Sequence, residues 1–264
     1  MNEAKGTALI TGASSGIGAL YADRLARQGY DLILVARNAD KLEHVADAVR
    51  AATGRKIETL PADLAAPSEL RLVEARLTND RSITMLVNNA GIGSTARALD
   101  ADVDTMSAMV SLNVEALMRL TYAVVPAFVA RGRGTIVNIA SIVAVAPEVL
   151  NGVYGGTKAF VLALSQNLRR EMEGTGVKIQ VVLPGATATD FWDIAGTPVE
   201  HLPGDIVMRA DHLVDAALTG LERGEFATIP SLHNESRWDV FDAARQAMAG
   251  ELSTNTPATR YLAA

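Results

Sequence analysis

Residues 7–18 read Thr-Ala-Leu-Ile-Thr-Gly-Ala-Ser-Ser-Gly-Ile-Gly, a short apolar run that passes directly into a glycine-rich turn. The apolar run 7–11 predicts a buried strand, and apolar residues recur after the turn at helical spacing. Glycines in such a turn let the backbone approach a pyrophosphate, and the N-terminus of the following helix offers free N–H groups to it. The stretch therefore predicts a nucleotide-binding turn, with an ordinary tight connection between strand and helix as the alternative.

The same alternation of strand and helix continues along the chain. Apolar runs predict further strands at residues 31–36, 57–61, 83–87, 135–139, 177–183 and 226–229. Amphipathic patterns predict later helices at about 40–52, 68–77, 102–130, 153–173, 210–223 and 235–249. We expect the helix over 102–130 to be interrupted or shifted near Pro126. The alternation predicts a parallel sheet with helices on both faces and ligands beyond the carboxyl ends of its strands.

Composition narrows the class of protein. The 264 residues are 49% apolar and 20% charged, which is typical of a globular chain with a proper core. No linker, repeat or low-complexity segment is visible, so we expect one domain over residues 1–264. The net charge of −6 and the lack of a basic tract argue against a nucleic-acid partner. No secretory leader or apolar run of ~20 residues occurs, so we expect no membrane association and a cytoplasmic location.

The residue types present disfavour several chemistries. The chain has no cysteine, which excludes disulfides, thiolate metal sites and a cysteine nucleophile. Its four histidines, His44, His201, His212 and His233, lie far apart without the spacing of metal ligands, so no metal is expected. The Gly-x-Ser-x-Gly elbow of a serine hydrolase is also missing from the sequence.

Tyr154 and Lys158 are four residues apart in a stretch expected to be helical, so their side chains share one face. A tyrosine titrates near pH ~10, and a neighbouring positive charge favours the phenolate and lowers that pKa. The spacing therefore indicates a tyrosine suited to general acid–base catalysis. The alternative is an ordinary pair on a helix surface.

Four motifs in order give the chain a family resemblance. The glycine-rich turn has the form Thr-Gly-x-x-x-Gly-Ile-Gly, residues 88–91 read Asn-Asn-Ala-Gly, and Ser141 precedes the Tyr154-x-x-x-Lys158 pair. Over about residues 7–190 this order and spacing resemble the short-chain dehydrogenase/reductase family. The resemblance implies an α/β fold with a single Rossmann-type doubly wound parallel sheet. It also implies an oxidoreductase that interconverts a ketone or aldehyde and an alcohol by hydride transfer.

The resemblance implies a catalytic role for four residues. Ser141 would hydrogen-bond the substrate oxygen, and Tyr154 would give or take its proton. Lys158 would lower the pKa of Tyr154 and bind the nicotinamide ribose. Asn113 would hold a water in a proton relay to Lys158. A turn or capping serine is the alternative for Ser141, and a local helix break satisfied by backbone is the alternative for Asn113.

The end of the second predicted strand bears on the choice of cofactor, because it should reach the adenosine ribose. Ala36 stands where an NAD enzyme usually has a carboxylate, and Arg37 follows it. A guanidinium is suited to a phosphate, so we expect NADP(H). The alternative is that Arg37 only caps or solvates the loop.

The glycine-rich turn and the family resemblance together predict a set of cofactor contacts at the strand ends. They are Gly12, Ser14, Ser15, Gly16, Ile17, Gly18, Arg37, Asp63, Leu64, Asn89, Ala90, Gly91, Tyr154, Lys158, Pro184, Gly185, Thr187 and Thr189. Asp63 has the alternative of a turn carboxylate. Thr187 departs from the family, which usually has a branched aliphatic residue there.

Residues 186–209 show little periodicity and are expected to form a mobile lid over the substrate. The candidate substrate contacts are Ser141, Val143, Val145, Glu148, Leu150, Tyr154, Phe191 and Trp192. They predict a pocket for a ketone, aldehyde or secondary alcohol with an apolar body. The alternative for Phe191 and Trp192 is that they pin the lid to the core.

The helix from Val153 is more apolar than a free surface helix needs, and family members pair this helix and the long helix before it across a two-fold axis. We therefore expect a homodimer or a homotetramer. Gly155 and Gly156 suggest a bare helical face for close approach of the cofactor, the substrate or a partner helix. A tail with one amphipathic helix is expected over residues 231–264.

Two other functions stay open at this point. One is a non-catalytic NADP(H)-binding regulatory protein on the same fold, because a fold does not fix a function. It would have no need for Asn113, Ser141, Tyr154 and Lys158 together. The other is an epimerase or dehydratase, for which the residues after Thr189 leave little room.

Overall fold

The computed structural model describes residues 5–262. Contacts divide the chain into two compact units, Met1–Pro230 and Ser231–Ala264. The first unit holds the sheet and every candidate site residue. The second holds one helix, and it begins where the tail was expected. The expectation of a single domain over residues 1–264 stays a prediction.

The strands follow the predicted order. In the described residues they are β1 (Thr7–Thr11), β2 (Asp31–Ala36), β3 (Ile57–Pro61), β4 (Ile83–Asn88), β5 (Gly134–Ile139), β6 (Val177–Val182), β7 (Thr187–Ala188), β8 (Met208–Arg209) and β9 (Ala227–Thr228). Seven of them form one sheet in the order β3-β2-β1-β4-β5-β6-β9, and all pairs are parallel. The strand order reverses between β1 and β4, which is where such sheets bind ligands.

In the first unit, helices connect these strands and flank the sheet. They are α1 (Gly16–Arg27), α2 (Ala39–Thr53), α3 (Pro67–Asn79), α4 (Val103–Val110), α5 (Leu117–Ala130), α6 (Gly152–Glu171), α7 (Phe191–Ala195) and α8 (Ala210–Arg223), and the second unit contains α9 (Ser236–Ala247). One group packs α1 with α2 and α8, and another packs α3 with α5. The predicted parallel α/β fold is confirmed.

Local sequence explains where these elements stop and start. Asn38 accepts a hydrogen bond from the Lys41 N–H at 2.9 Å and so caps α2. Gly54 ends that helix with a φ of 67°, a conformation that favours glycine. The central strands are buried on both faces: Ala8, Leu9 and Ile10 are fully inaccessible to solvent. Burial on both faces accounts for their continuous apolar runs.

The expected interruption near Pro126 is wrong. Helix α5 continues through Pro126, which is exposed, and the carbonyl that loses its helical partner belongs to exposed Tyr122. The irregular segment lies earlier, at Ser111–Ala116, and it is π-helical. There the Asn113 side chain bonds the Ile92 backbone, and the wider turn accommodates it.

One helical stretch, Val103–Ala130, is long and apolar enough to pass a length-and-composition test for a membrane span. A single such helix is a weak indication, because core helices of soluble proteins pass the same test. The stretch carries Asp104, Glu115 and Arg119, and its α5 part packs against β4 and β5. We therefore assign it to the helical layer over the sheet.

The segment 186–209 is more ordered than its sequence suggested. Strands β7 and β8 pair in parallel, with Thr187 opposite Met208, and they bring the two ends of the segment together. Between them lie α7 and two short 3₁₀ turns, Val199–His201 and Gly204–Ile206. The predicted lid is thus a short excursion that starts and ends at the carboxyl side of the sheet.

Candidate active site

The glycine-rich turn lies between β1 and α1 and leaves no room for side chains. Gly12 and Gly16 have φ values of 65° and 53°, which favour glycine. A Cβ at Gly18 would overlap the Gly12 carbonyl oxygen and lie 2.6 Å from Asn89 Nδ2. Ser15 at the N-cap of α1 makes no side-chain cap, so the first N–H groups of the helix stay available to an anion. This bare turn fits a dinucleotide phosphate.

Thr11 and Asn89 join the ends of β1 and β4 beneath that turn. Thr11 Oγ1 accepts hydrogen bonds from the Asn89 and Ala90 N–H groups, both at 3.0 Å. Asn89 Nδ2 donates to the carbonyl oxygens of Thr11 at 3.0 Å and Gly12 at 3.1 Å. Asn89 and Ala90 therefore brace the floor of the crevice. Their contact with a cofactor stays a prediction.

Arg37 is exposed at the end of β2, directly after Ala36. Among the described residues its guanidinium makes no hydrogen bond or ion pair, so it does not cap the loop, while the alternative of a solvated loop residue stays open. Asp63 does take the turn alternative: its carboxylate accepts from the Ala65 N–H at 2.9 Å. Leu64 next to it is buried.

Ser141, Tyr154 and Lys158 meet at the carboxyl ends of β5 and β6. The Ser141 hydroxyl donates to the Pro184 carbonyl oxygen at 3.4 Å. Its hydroxyl also accepts from the Val143 N–H at 3.4 Å, so the turn role suggested as an alternative is present too. Lys158 Nζ donates to the Ile139 carbonyl oxygen at 2.8 Å. All three predicted catalytic side chains are buried.

Burial controls the titration of this group. It raises the pKa of Tyr154 to about 12, and the neighbouring Ser141 side chain partly opposes that rise. Burial also lowers the pKa of Lys158 to about 8. The Tyr154 shift is opposite to the direction expected from the sequence, since the Lys158 ammonium points at Ile139 and lies 5.8 Å from the tyrosine ring centroid. Lowering of the Tyr154 pKa by Lys158 stays a prediction.

Asn113 lies in the π-helical segment and is buried. Its Oδ1 accepts from the Ile92 N–H at 2.9 Å, and its Nδ2 donates to the Ile92 carbonyl oxygen at 2.8 Å and to Thr157 Oγ1 at 3.1 Å. The helix break satisfied by backbone, the alternative for this residue, is therefore what the structure has. A Cβ at Gly91 would lie 3.1 Å from Asn113 Oδ1 and 3.6 Å from Lys158 Nζ. The proton relay stays a prediction.

An apolar cluster surrounds the Tyr154 ring. Its buried members are Met106, Met109, Val143 and Tyr154, and Ile92, Ala101, Leu150 and Phe191 pack against them. The sequence predicted Val143, Leu150 and Phe191 but missed Met106 and Met109. Their spacing of three residues on the helix before Asn113 was the available signal. Val145 and Glu148 are exposed and lie outside this cluster, so their substrate contact stays a prediction.

The lid residues divide into two roles. The Phe191 ring centroid lies 5.7 Å from that of Tyr154, and a Cβ at Gly93 would overlap the Phe191 ring. Trp192 is buried and its Nε1 donates to the Thr187 carbonyl oxygen at 2.9 Å, so it braces the lid segment from within, and its pinning of the lid to the core stays a prediction. Thr189 lies against the glycine turn, 3.3 Å from a Cβ placed at Gly16.

The remaining predicted positions are distributed around the same crevice. Gly185 accepts from Thr187 Oγ1 at 3.0 Å, and buried Pro184 is the neighbour of Ser141. On α6, a Cβ at Gly155 would lie 3.1 Å from Pro147 Cβ, whereas one at Gly156 would meet nothing within 4 Å. Within residues 5–262, no three histidine, aspartate or glutamate side chains gather as a metal site would need.

The sequence and the fold both match known proteins. The family model described as short chain dehydrogenase matches residues 6–197. The sulfoacetaldehyde reductase 2 of Chromohalobacter salexigens is 32% identical over 88% of this chain and 92% of its own length. Among solved structures, a short-chain dehydrogenase from Sphingobium yanoikuyae in complex with NADPH is 48% identical, with a TM-score of 0.94 over 97% of this chain and 100% of that one.

A second solved structure is similar over its whole length. The bulky-bulky ketone specific alcohol dehydrogenase from Comamonas testosteroni is 44% identical, with a TM-score of 0.90 over 98% of this chain and 99% of that one. These matches confirm the resemblance found in the motifs, and the NADPH of the Sphingobium protein agrees with the cofactor expected from the sequence. This chain therefore belongs to the short-chain dehydrogenase/reductase family of oxidoreductases.

Proposed function

We propose that the protein is an NADP(H)-dependent oxidoreductase that interconverts ketones of apolar body and their secondary alcohols, with Tyr154 as the general acid and base. The observation that carries this proposal is the buried group of Ser141, Tyr154 and Lys158 beside an apolar cluster. Burying an ionisable lysine and a tyrosine together costs stability, and a protein that only bound the cofactor would gain nothing from it.

The chain's own residues divide the work at the substrate oxygen. The Ser141 and Tyr154 side chains are both buried at the carboxyl ends of β5 and β6, and each hydroxyl has one O–H group to donate to a substrate oxygen placed between them. With a pKa of about 12, Tyr154 is protonated at neutral pH and donates its proton as charge develops on that oxygen. Bound NADP(H) supplies the hydride in reduction and accepts it in oxidation.

Lys158 stabilises the tyrosine after the proton has left. Its pKa of about 8 keeps the ammonium mostly charged at pH 7, and its low-dielectric surroundings strengthen its attraction for a phenolate. Its Nζ lies beside Gly91, whose missing side chain leaves space there, and this supports the contact with the nicotinamide ribose expected from the family.

NADP(H) is favoured over NAD(H) by the end of β2. Ala36 brings no negative charge, and the exposed Arg37 guanidinium has no partner within the described chain, so it is free for a phosphate. The glycine turn supplies the bare backbone for the pyrophosphate. The Sphingobium relative, which is in complex with NADPH, supports the same assignment.

The substrate class follows from the cluster beside Tyr154. Its members are aliphatic or aromatic apart from the Tyr154 hydroxyl, and Arg97 after β4 is exposed. Such a wall suits an uncharged ketone better than an anionic aldehyde of the kind reduced by the Chromohalobacter relative. The methionines supply an adaptable surface, and the Comamonas relative, specific for bulky-bulky ketones, supports two sizeable apolar substituents.

The test is NADPH oxidation against aliphatic, aryl, steroid and sugar ketones, run with Tyr154→Phe and with Tyr261→Phe as the matched control at an exposed tyrosine. We expect turnover of aryl or other bulky ketones and a loss of about 10²–10⁴-fold in kcat for Tyr154→Phe only. NADPH binding, followed by fluorescence, should survive in both variants. Full activity in Tyr154→Phe would disprove the mechanism, and NADPH binding without any ketone turnover would favour a regulatory protein.

We also propose a cytoplasmic homodimer or homotetramer. Val110, Tyr122 and Val129 are exposed on α4 and α5, and Phe160 and Leu164 are half-buried on α6, so both helices predicted to pair carry uncovered apolar surface. Size-exclusion chromatography with light scattering checks this proposal. A monomer at micromolar concentration would contradict it.

A further inference from the structure

The segment between β4 and α4 contains a short strap, residues 94–96, with bonds in two directions. Ser94 is buried, and its hydroxyl accepts from the Ala96 N–H at 3.1 Å. This local bond turns the backbone, so that the N–H and hydroxyl of Thr95 and the carbonyl oxygen of Ala96 bond different partners. Those partners belong to the lid on one side and to the start of the catalytic helix on the other.

Thr95 holds the lid. Its N–H and its Oγ1 both donate to the Ala195 carbonyl oxygen, at 2.9 Å and 3.0 Å. Thr197 Oγ1 donates to the same Thr95 hydroxyl at 3.0 Å. Ala195 is the last residue of α7, where carbonyl groups lack helical partners. A helix of five residues has little stability of its own, so these bonds fix the position of α7.

Asn151 holds the catalytic helix from the other side. Its Oδ1 accepts from the N–H groups of Val153 at 2.9 Å and Tyr154 at 3.1 Å, which caps α6. Its Nδ2 donates to the Ala96 carbonyl oxygen at 2.6 Å. The side chain is buried, and its amide is used at both ends. Asn151 thus links the strap to the residue that carries the reacting phenol.

We propose that Thr95 and Asn151 are positioning residues that set the width of the substrate site through this strap. The proposal rests on the function proposed above. Phe191 begins α7 and Tyr154 lies in the first turn of α6, and their ring centroids are 5.7 Å apart. Because both helices are bonded to adjacent residues of one strap, the distance between the lid wall and the catalytic phenol depends on those bonds.

The two positions differ in what they control. Thr95 acts on the lid, so its loss should affect substrates large enough to reach Phe191. Asn151 acts on the first turn of α6, so its loss should affect the placement of the Tyr154 hydroxyl for every substrate. This difference separates a positioning role from a general loss of stability.

The experiment uses the full-length protein with a small aliphatic ketone and a bulky aryl ketone. Thr95→Val removes the hydroxyl and keeps the shape, Thr95→Ser restores the donor, and Thr219→Val is the control on exposed α8. Thr95→Val removes two hydrogen bonds of the hydroxyl, to Ala195 and from Thr197, and keeps that of the N–H, so we expect KM for the bulky ketone to rise at least about fivefold, with little change for the small ketone. Hydrogen exchange in residues 191–197 should become faster, with or without NADPH.

Asn151→Ser keeps an oxygen for the cap but is too short to reach Ala96. We expect it to lower kcat about fivefold for both ketones, the effect of one hydrogen bond. It should also displace the pH profile of kcat, because the tyrosine hydroxyl moves relative to Ser141. The double variant should show an effect different from the product of the single effects, since both act on one strap.

Several outcomes would overturn the proposal. Unchanged hydrogen exchange in residues 191–197 together with an unchanged KM ratio for Thr95→Val would remove the lid role. Independent effects in the double variant would remove the link through the strap. If Thr95→Val does not fold, Thr197→Val removes one bond of the same attachment, and unaltered exchange there would also refute it. If the native protein reduces no ketone, the proposed function fails, whereas the exchange measurement still decides on the strap.

Discussion

The cofactor side and the substrate side of the crevice are held together by different kinds of contact. On the cofactor side, backbone lies against backbone: a Cβ at Gly18 would overlap the Gly12 carbonyl oxygen. On the substrate side, Met106, Met109 and Phe191 pack through long side chains around Tyr154. Backbone contact of the first kind dictates which residue types fit, whereas packing of the second kind tolerates exchange at similar volume. The glycine turn was therefore visible in the sequence, whereas Met106 and Met109 in the pocket were not.

The largest effect that distinguishes the two sides is expected from Gly18→Ala. The added methyl group meets the Gly12 backbone and the Asn89 amide, which two hydrogen bonds hold in place. We expect a loss of about 3 kcal/mol in the free energy of unfolding and loss of NADPH binding. Urea denaturation and NADPH fluorescence measure the two quantities. Normal values for both would show that the turn is not as tightly built as described.

Lys158→Met tests the buried charge where the two sides meet. The fall of the Lys158 pKa from 10.5 to about 8 corresponds to roughly 3 kcal/mol against the charged form at neutral pH. Methionine at this position removes that cost, but it also removes the hydrogen bond to Ile139, which contributes about 1 kcal/mol to stability. We therefore expect Lys158→Met to raise the free energy of unfolding at pH 7 by about 2 kcal/mol, while reduction is lost.

The sign of the pH dependence follows from the two lysine pKa values. Between about pH 8 and pH 10.5 the unfolded lysine holds a proton that the folded one has released, so the native protein gains stability from this residue as pH rises. The difference in the free energy of unfolding between Lys158→Met and the native protein should therefore decrease as the pH rises from about 8 to 10.5. Urea unfolding at pH 7 and at pH 10 provides the check, and a variant less stable than the native protein at pH 7 would contradict it.

A smaller effect is expected at the outer end of the cofactor side, from Arg37→Ala. Hydrogen bonds to a charged group contribute about tenfold to a hundredfold in affinity, so the preference for NADPH over NADH should fall by that factor. The kcat/KM values for the two cofactors measure it, with Arg71→Ala on exposed α3 as the control. If the preference does not change, Arg37 has no part in recognising the phosphate.

The smallest effect is expected at the glycine pair of α6, which resembles the turn in sequence but not in surroundings. Gly156→Ala places a methyl group in open space on a helix and should stabilise the protein by about 1 kcal/mol. Gly155→Ala, which meets Pro147, should gain less. Thermal denaturation compares them. If Gly156→Leu keeps normal kinetics and assembly, the idea of a bare face for a partner helix fails.

The parts of the fold that follow from local pattern could be predicted from the sequence. The bounds of β1 and β2 agree with their apolar runs, because strands buried on both faces have no polar interruption. Strands β7 and β8 have two residues each, too few to produce a periodicity. The bonds between Thr95 and Ala195 join residues 100 positions apart, and no local signal marks such a pair.

The direction of the Tyr154 pKa shift could not be predicted for a similar reason. The sequence places Lys158 one helical turn away, which suggests a lowered tyrosine pKa. The structure adds two facts that need the folded chain: the depth of burial of both groups and the Ile139 carbonyl that takes the lysine. Burial of the tyrosine therefore raises its pKa, although Lys158 lies one helical turn away.

The π-helical segment Ser111–Ala116 also determines how α4 and α5 are rotated relative to each other about the common helix axis. A π turn holds one residue more than an α turn, and an α-helix advances about 100° per residue. The wider turn absorbs that residue, so deleting one residue there would restore regular α-helix and leave Met106 and Met109 facing Tyr154, while the place of Asn113 would be lost. A sequence alignment with a protein that lacks the extra residue must therefore place its gap within residues 111–116, so that α4 and α5 each stay in register.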